Sequence, residues 1–146
     1  MKGYIYFDMD GTIADLYGVE NWLSYLESGK TKPYREARPL VNMRELGREL
    51  RRLQAEGYVI GIISWLSKSG TSEYNERVAE TKKKWLVRHL GSVSFDEVHI
   101  VNYGTPKFTL ASGEVAYLFD DEERNRNDWR GVAFGVDNIL ETLRAI

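Results

Sequence analysis

Phe7-Asp8-Met9-Asp10-Gly11-Thr12 places two carboxylates two residues apart, directly after the apolar run Tyr4-Ile5-Tyr6-Phe7. Such a run predicts a strand, and open α/β sheets bind ligands at the carboxyl ends of their strands. A carboxylate there can attack phosphorus, which would make Asp8 a nucleophile, and Asp10 can act as a general acid and then as a general base. The Thr12 hydroxyl can fix the loop. The alternative is a solvated turn after an edge strand.

Two later apolar runs also end in polar residues. The run from Tyr58 to Ile63 is nearly continuous, as in a parallel strand buried on both faces, and it stops at Ser64, whose hydroxyl can hydrogen-bond a phosphate oxygen. A second run, Val115 to Phe119, ends in Asp120-Asp121, the same predicted structural position as that of the first acid pair. An ordinary strand-end serine and a solvated acidic loop are the alternatives.

Strand and helix patterns alternate along the chain, which argues for a parallel sheet with helices on both faces. Apolar residues at helical spacing predict helices around residues 43–53, 74–86 and 139–143, and Asn42 with Glu45 resembles a capping box. Lys82 to Lys84 are interpreted as lying largely on the solvated side of the second helix. Predicted strands begin near Lys2, Tyr58, Glu97, Val115 and Val132.

Composition excludes several classes of protein. The 146 residues, 42 % hydrophobic and 29 % charged, fit one globular domain, and the net charge of -2 gives no overall basic footprint for nucleic acid or an anionic membrane. No apolar run has the length of a membrane span, and no signal-peptide pattern is seen, so a cytoplasmic protein is expected. Without cysteine, neither disulfides nor thiolate metal sites form. His89 and His99 lack metal-ligand spacing and are interpreted as structural.

These strand ends resemble the motifs of the haloacid dehalogenase-like superfamily of phosphohydrolases: Asp-x-Asp-Gly-Thr after the first strand, then a Ser or Thr, a Lys and an acidic pair. The resemblance implies an α/β, Rossmann-like three-layer sandwich with a five-stranded parallel sheet in the order 5-4-1-2-3. It also implies one hydrolase domain over residues 1–146, with a minimal helical cap inserted after strand 1 at about residues 13–40. Trp22, Leu23 and Leu26 predict one short helix in that insertion, followed by a polar segment.

The resemblance assigns the lysine motif to Lys107, because it lies between the predicted strand at residues 98–101 and the acidic strand. Lys82, Lys83 and Lys84 are the rivals. The catalytic set implied is Asp8, Asp10, Ser64 and Lys107.

By the same resemblance, Mg²⁺ is held by the Asp8 carboxylate, the Asp10 backbone carbonyl and Asp120, with Asp121 as a supporting or alternative ligand. Hard oxygen ligands of this kind are those that Mg²⁺ selects.

A small cap would leave the phosphate site open to larger partners. Aromatic and basic residues near it are candidates for stacking on a base and holding further phosphates, although each alone fits an aromatic core or a solvated arginine equally well. The substrate-binding set comprises Thr12, Ser64, Trp65, Lys107, Tyr17, Trp22 and Arg38, with Tyr34 and Arg35 as further candidates.

Two subfamilies are similar in detail. Residues 84–91, 95–101 and 117–121 look like the 5'(3')-deoxyribonucleotidases, whereas 119–121 with 127–130 resemble the phosphatase domain of polynucleotide kinase-phosphatases. The expected function is therefore a Mg²⁺-dependent phosphomonoesterase that forms an aspartyl-phosphate and acts on nucleoside monophosphates. The alternatives are a polynucleotide 3'-phosphatase acting on a nucleic-acid end, a general small-molecule phosphatase, or an inactive phosphate-binding scaffold. No membrane partner is expected.

Overall fold

The structure is a computed structural model that describes residues 2–113 and 115–146. Its regular elements alternate along the chain as the sequence predicts. In order they are β1 (Gly3–Phe7), β2 (Ala14–Asp15), α1 (Trp22–Glu27), α2 (Lys32–Glu36), β3 (Arg38–Pro39), α3 (Met43–Ala55), β4 (Tyr58–Trp65), α4 (Ser72–Leu90), β5 (Glu97–Val101), a short 3₁₀ helix (Lys107–Leu110), β6 (Ala116–Phe119), α5 (Glu123–Asp128), β7 (Val132–Phe134) and α6 (Ile139–Ala145).

Five parallel strands form the main sheet in the order β5-β4-β1-β6-β7, which confirms the predicted order. In this register Phe7 of β1 lies opposite Ile62 of β4 and Phe119 of β6. Asp8 and Asp120, which come one residue after these positions, and Ser64, which comes two residues after, therefore meet at one edge of the sheet.

The two faces of the sheet are covered to different depths. Ile5 and Phe7 point to a face covered by α3, α6 and the carboxyl-terminal half of α4. Tyr6 points to the other face, where Trp129 and the 3₁₀-helix residue Phe108 pack in a thinner layer. Alternation along β1 thus supplies both layers of core.

Helix starts follow the expected chemistry. The Asn42 side chain accepts a hydrogen bond from the Glu45 backbone N–H at 3.1 Å, which caps α3, and Thr71 caps α4 in the same way through Tyr74 N–H. These caps fix where the two long helices begin.

The insertion between β1 and α3 is a two-stranded antiparallel stem, β2 with β3, that carries two helices. The sequence predicted only α1. The second helix, α2, lies in the segment interpreted as polar; it has five residues, and its buried side chains are Pro33 and Tyr34, too few to show a period. Tyr34 packs with Tyr74 and Val78 of α4, so the insertion is fastened to the main domain.

Among the residues that the structure describes, no helix combines the length and the apolar content that crossing a membrane requires.

Candidate active site

The loop after β1 is pinned by hydrogen bonds around Thr12, whose side chain is buried. Its hydroxyl donates to Asp8 Oδ2 at 3.1 Å and accepts from the Asp121 backbone N–H at 3.1 Å. Gly11 has φ of 81°, and a Cβ there would collide with the Asp121 carboxylate. Thr12 and Gly11 therefore hold the acids of β1 against those of β6, and Thr12 is turned toward these carboxylates.

Lys107 lies between the two strand-end acids. Its Nζ is 2.9 Å from Asp8 Oδ1 and 2.7 Å from Asp120 Oδ2, and the side chain is buried. Burial lowers the pKa of Lys107, but the Asp8 and Asp120 carboxylates outweigh it and raise the pKa above its ordinary value. The ammonium therefore stays charged beside the proposed nucleophile.

Three carboxylates form an acidic cluster that suits a divalent cation. Asp8, Asp120 and Asp121 each offer one oxygen, and these oxygens lie within 4.8 Å of one another. Burial, followed by repulsion from Asp8, raises the pKa of Asp120 to about 6 and that of Asp121 to about 8. The donors are all hard oxygens, so the cluster fits Mg²⁺, which would relieve this repulsion.

The structure contradicts the interpretation of Lys82 as a residue on the solvated side of α4. It is 1 % exposed, and its Nζ lies 2.8 Å from Asp10 Oδ2, 2.8 Å from Ser64 Oγ and 2.7 Å from the Trp65 carbonyl oxygen. Lys83 and Lys84 are exposed, as expected.

The signal that would have found Lys82 was present in the sequence. Val78 lies four residues before it, and Trp85 and Leu86 lie three and four residues after it, and all three are buried. That spacing places Lys82 on the apolar side of α4. A lysine in the middle of an apolar helix stripe is buried only when it has partners, here Asp10 and Ser64.

These side chains form what we name the floor: Asp8, Asp10, Ser64, Lys82, Lys107, Asp120 and Asp121. Within the described residues, no buried side-chain nitrogen or oxygen lacks a hydrogen-bond partner. Burial raises the pKa of Asp10, with the Lys82 ammonium acting in the opposite direction. The floor thus contains two hydrogen-bonded groups, one around Lys82 and one around Lys107, and Asp121 is joined to the second through Thr12.

A cavity of about 520 Å³ opens above Asp8, Asp10 and Lys107. Apolar and aromatic side chains line much of it, some from the insertion and others from the end of β4 and the loop after β5. We name this set the wall: Leu16, Tyr17, Trp22, Leu23, Leu26, Trp65 and Tyr103.

Two aromatic pairs stand in the wall. Tyr17 meets Trp22 edge-on with ring centroids 5.0 Å apart, and Trp65 lies 4.9 Å from Tyr103. The Arg124 guanidinium lies over the Trp65 ring at 4.9 Å. Sequence reasoning missed Tyr103, although it is an exposed aromatic residue four positions before the lysine motif.

The other residues that the sequence predicted as substrate contacts are only partly at the cavity or lie outside it. Trp65 is buried, and its Nε1 donates to the Thr105 carbonyl oxygen at 2.9 Å, so only part of its ring faces the cavity. Tyr34 is buried at the cavity edge, with Lys82 Nζ 5.1 Å from its ring centre. Arg38 is exposed in β3 and is not among the described residues that line the cavity, and Arg35 lies at a second recess of about 380 Å³.

Comparison with known proteins supports the fold. No protein-family model matches the sequence, and no curated protein matches it. Among solved structures, the crystal structure of D,D-heptose 1,7-bisphosphate phosphatase from Burkholderia thailandensis is similar, with a TM-score of 0.58 and 13 % sequence identity. The match covers 99 % of this chain and 97 % of that chain. The five-stranded α/β fold is therefore shared along nearly the whole length of both proteins.

Proposed function

We propose that this chain is a Mg²⁺-dependent phosphomonoesterase that forms an aspartyl-phosphate at Asp8. One observation carries the proposal: a buried lysine joins the strand-end acids of β1 and β6 at the floor of a cavity. Such a site combines a nucleophile with the positive charge that phosphoryl transfer requires. Residues 1–146 would form one catalytic domain, with residues 13–40 as its small cap.

The first half-reaction forms the phosphoenzyme. An Asp8 carboxylate oxygen attacks phosphorus, the ester P–O bond breaks, and Asp10 gives its proton to the departing alkoxide. Because Lys82 holds Asp10 Oδ2, the proton is carried by Oδ1. Lys107, with the Ser64 hydroxyl as a donor, stabilises the phosphoryl oxygens.

The second half-reaction restores the enzyme. Asp10, now a carboxylate, removes a proton from water, whose oxygen attacks phosphorus while the bond to Asp8 breaks and inorganic phosphate leaves. Asp8, the Asp10 carbonyl and Asp120 would hold Mg²⁺, with Asp121 in support. When bound, the cation neutralises charge on the carboxylates and the phosphoryl oxygens.

For the substrate we propose a nucleoside monophosphate. The cavity volume lies within the range of about 300 to 1,000 Å³ that is typical of small-molecule sites. Tyr17, Trp22 and Tyr103 offer aromatic rings beside the phosphate site, on which a base can stack. These rings support a nucleotide over a ligand without a flat apolar part.

A sugar phosphate is the second candidate. It is favoured by the likeness to a phosphatase whose name gives a heptose bisphosphate as its substrate. An inactive scaffold is disfavoured, because such a protein has no need for the buried pairing of Lys107 with Asp8.

The test is phosphate release from 5'- and 3'-mononucleotides, a 3'-phosphorylated oligonucleotide and a sugar phosphate, each with Mg²⁺ and with a chelator. We expect hydrolysis that the chelator removes and that Asp8→Asn lowers by at least about 1,000-fold. Substantial turnover by Asp8→Asn, in a variant that keeps its fold, would overturn the aspartyl-phosphate. Release from the oligonucleotide alone would assign the nucleic-acid-end alternative.

A further inference from the structure

We propose that Lys82 is a positioning residue that aims the Asp10 carboxyl group at the phosphoryl site from the end of β4. The inference rests on the proposed function, since it concerns how that site is held. It adds a second lysine, which acts through other residues, to the one that contacts the nucleophile.

The geometry leaves Lys82 no direct part in binding substrate. An ammonium has three donors, and all three are used, on Asp10 Oδ2, Ser64 Oγ and the Trp65 carbonyl oxygen. The Tyr34 ring covers the group at 5.1 Å. The described residues that line the cavity include Asp10 but not Lys82. Lys82 can therefore influence the reaction only through its partners.

Its partners belong to two structural elements that must keep their relative position. Asp10 lies in the loop after β1 and keeps part of its side chain exposed, whereas Ser64 and Trp65 are residues of β4 that pair with β5. By bonding to both, Lys82 ties the loop acid to the end of a strand. A proton donor tied in this way stays aligned with the leaving group, and alignment is a large part of its effect.

Ser64 takes part as an anchor for the ammonium. Its oxygen accepts a hydrogen bond from Lys82. Ser64 is fully buried in β4 and, like Lys82, is not among the described residues that line the cavity. Ser64 thus holds Lys82 at the end of β4, and Lys82 in turn holds Asp10 in the loop after β1.

A purely structural role is a poor explanation for this residue. The neighbouring positions on the same stripe of α4 are Val78, Trp85 and Leu86, all apolar. Burying an ammonium among them costs free energy that an apolar side chain of similar length would avoid. The contacts of the ammonium offset this cost, and one of them is to Asp10, the acid that the proposed reaction uses.

The test compares Lys82→Met with Lys83→Met, its exposed neighbour, on two substrates. kcat/KM reports the steps through departure of the leaving group. A 5'-deoxynucleoside monophosphate needs protonation of an alkoxide, whereas 4-nitrophenyl phosphate releases a stable phenolate and needs little help from an acid. We expect Lys82→Met to lower kcat/KM about 100-fold for the nucleotide and less than about 10-fold for the aryl ester. Lys83→Met should match the wild type on both.

Equal losses on both substrates would overturn the inference, as would no loss. If the wild type hydrolyses neither substrate, the proposed function itself falls. If it hydrolyses them and Lys82→Met behaves like the wild type, only this inference falls.

A double variant guards against a folding defect in the single one. Asp10→Asn/Lys82→Met removes both charges, so no unpaired carboxylate remains buried. If Lys82 acts through Asp10, the kcat/KM of the double variant on 4-nitrophenyl phosphate should equal that of the single variant Asp10→Asn within about 3-fold. The reason is that the effects of residues that act as one unit are not additive. A further large loss, or failure of both Lys82 variants to fold, would make Lys82 a part of the core instead.

Discussion

The floor and the wall of the cavity are built in opposite ways. In the floor, Lys82 is 1 % and Lys107 3 % exposed, and their hydrogen bonds join residues far apart in the sequence. In the wall, Tyr17 is 46 % and Tyr103 41 % exposed, and their contacts are mainly with other rings. The floor lysines are buried and hydrogen-bonded without a ligand, whereas these wall residues keep exposed surface that a ligand can cover. We infer that the floor determines which reaction occurs and the wall determines which ester reacts.

Lys107→Met should have the largest effect of the lysine substitutions. It removes the charge that balances Asp8 and Asp120 and leaves two buried carboxylates facing a dianionic substrate. We expect turnover to fall by about 1,000-fold or more, as for the loss of a principal electrostatic contact. Steady-state phosphate release with saturating Mg²⁺ measures it.

Lys83→Met is the matched control, since it removes the same charge from an exposed site. Equal losses in the two variants would mean that net charge, and not the floor, determines the rate. The lysine motif would then lie elsewhere.

Asp10→Asn should slow the second half-reaction without loosening the metal. The proposed ligand at this residue is its backbone carbonyl, which the substitution keeps, whereas the side chain is the proposed general base. With 4-nitrophenyl phosphate, whose leaving group needs little help from an acid, we expect the phosphoenzyme to accumulate and to decay about 100-fold more slowly, while the affinity for Mg²⁺ changes less than about 3-fold. Acid quench with ³²P-labelled 4-nitrophenyl phosphate and calorimetric titration of Mg²⁺ measure the two quantities.

Asp120→Asn is the comparison for metal affinity, because it removes a carboxylate of the acidic cluster. If Asp10→Asn loses as much Mg²⁺ affinity as Asp120→Asn does, its side chain is a ligand and the assigned role is wrong.

The floor and the wall also differed in how far the sequence predicted them. Asp8 and Asp120 were found because strand ends in a parallel sheet meet at one edge, so a local pattern fixes a distant contact. Lys107 was assigned by the family resemblance and by its place between two predicted strands. Their catalytic roles stay predictions. Tyr103 was missed and Arg38 was placed too close to the cavity, because a loop and a two-residue strand have no period from which a direction can be derived.

Lys82 shows a different limit. Its burial followed from the apolar stripe of α4, but three consecutive lysines were read together as a charged face. Because the run of like charges was interpreted as a unit, the different position of Lys82 in the helical period was overlooked. Burial of a charged residue has to be judged position by position.

Substitutions in the wall should change which substrate is preferred and leave the chemistry intact. Trp22→Ala and Tyr103→Ala each remove a ring beside the cavity, and one base stack contributes about 1 to 3 kcal/mol. We expect kcat/KM for a deoxynucleoside monophosphate, relative to that for a sugar phosphate, to fall about 10-fold in each variant, mostly through KM. Initial rates on the two substrates measure the ratio.

Tyr25→Ala is the control, because Tyr25 lies on the same helix as Trp22 but lines the second recess instead of the cavity. An unchanged ratio in all three variants, with the sugar phosphate hydrolysed as well as the nucleotide, would remove the nucleotide from the proposal. The phosphatase activity itself would stand.

The smallest expected effect tests the boundary between floor and wall, where Asp121 is only half-buried. Burial and Asp8 raise the pKa of Asp121 to about 8, well above that of the unfolded chain. Because the pKa of Asp121 is higher in the folded than in the unfolded chain, the folded state has its full stability below the unfolded pKa of about 4, where the group is protonated in both states. This stability is lost as the pH rises toward 8. Without metal, the Tm of the wild type should therefore fall between pH 4 and pH 8. The Tm of Asp121→Asn should fall less, because asparagine resembles the protonated form of aspartate.

In the presence of a chelator, we expect the Tm of Asp121→Asn to exceed that of the wild type by about 2 to 5 °C near pH 8, since about 1 kcal/mol shifts Tm by this amount in a chain of this size. Near pH 4 the two Tm values should be equal. Added Mg²⁺ should reverse the order at pH 8, because the cation binds the ionised cluster of the wild type and raises its stability by mass action. Thermal unfolding followed by tryptophan fluorescence measures both. If Mg²⁺ stabilises the two proteins equally, Asp121 is no ligand, and the cation is held by Asp8, the Asp10 carbonyl and Asp120 alone.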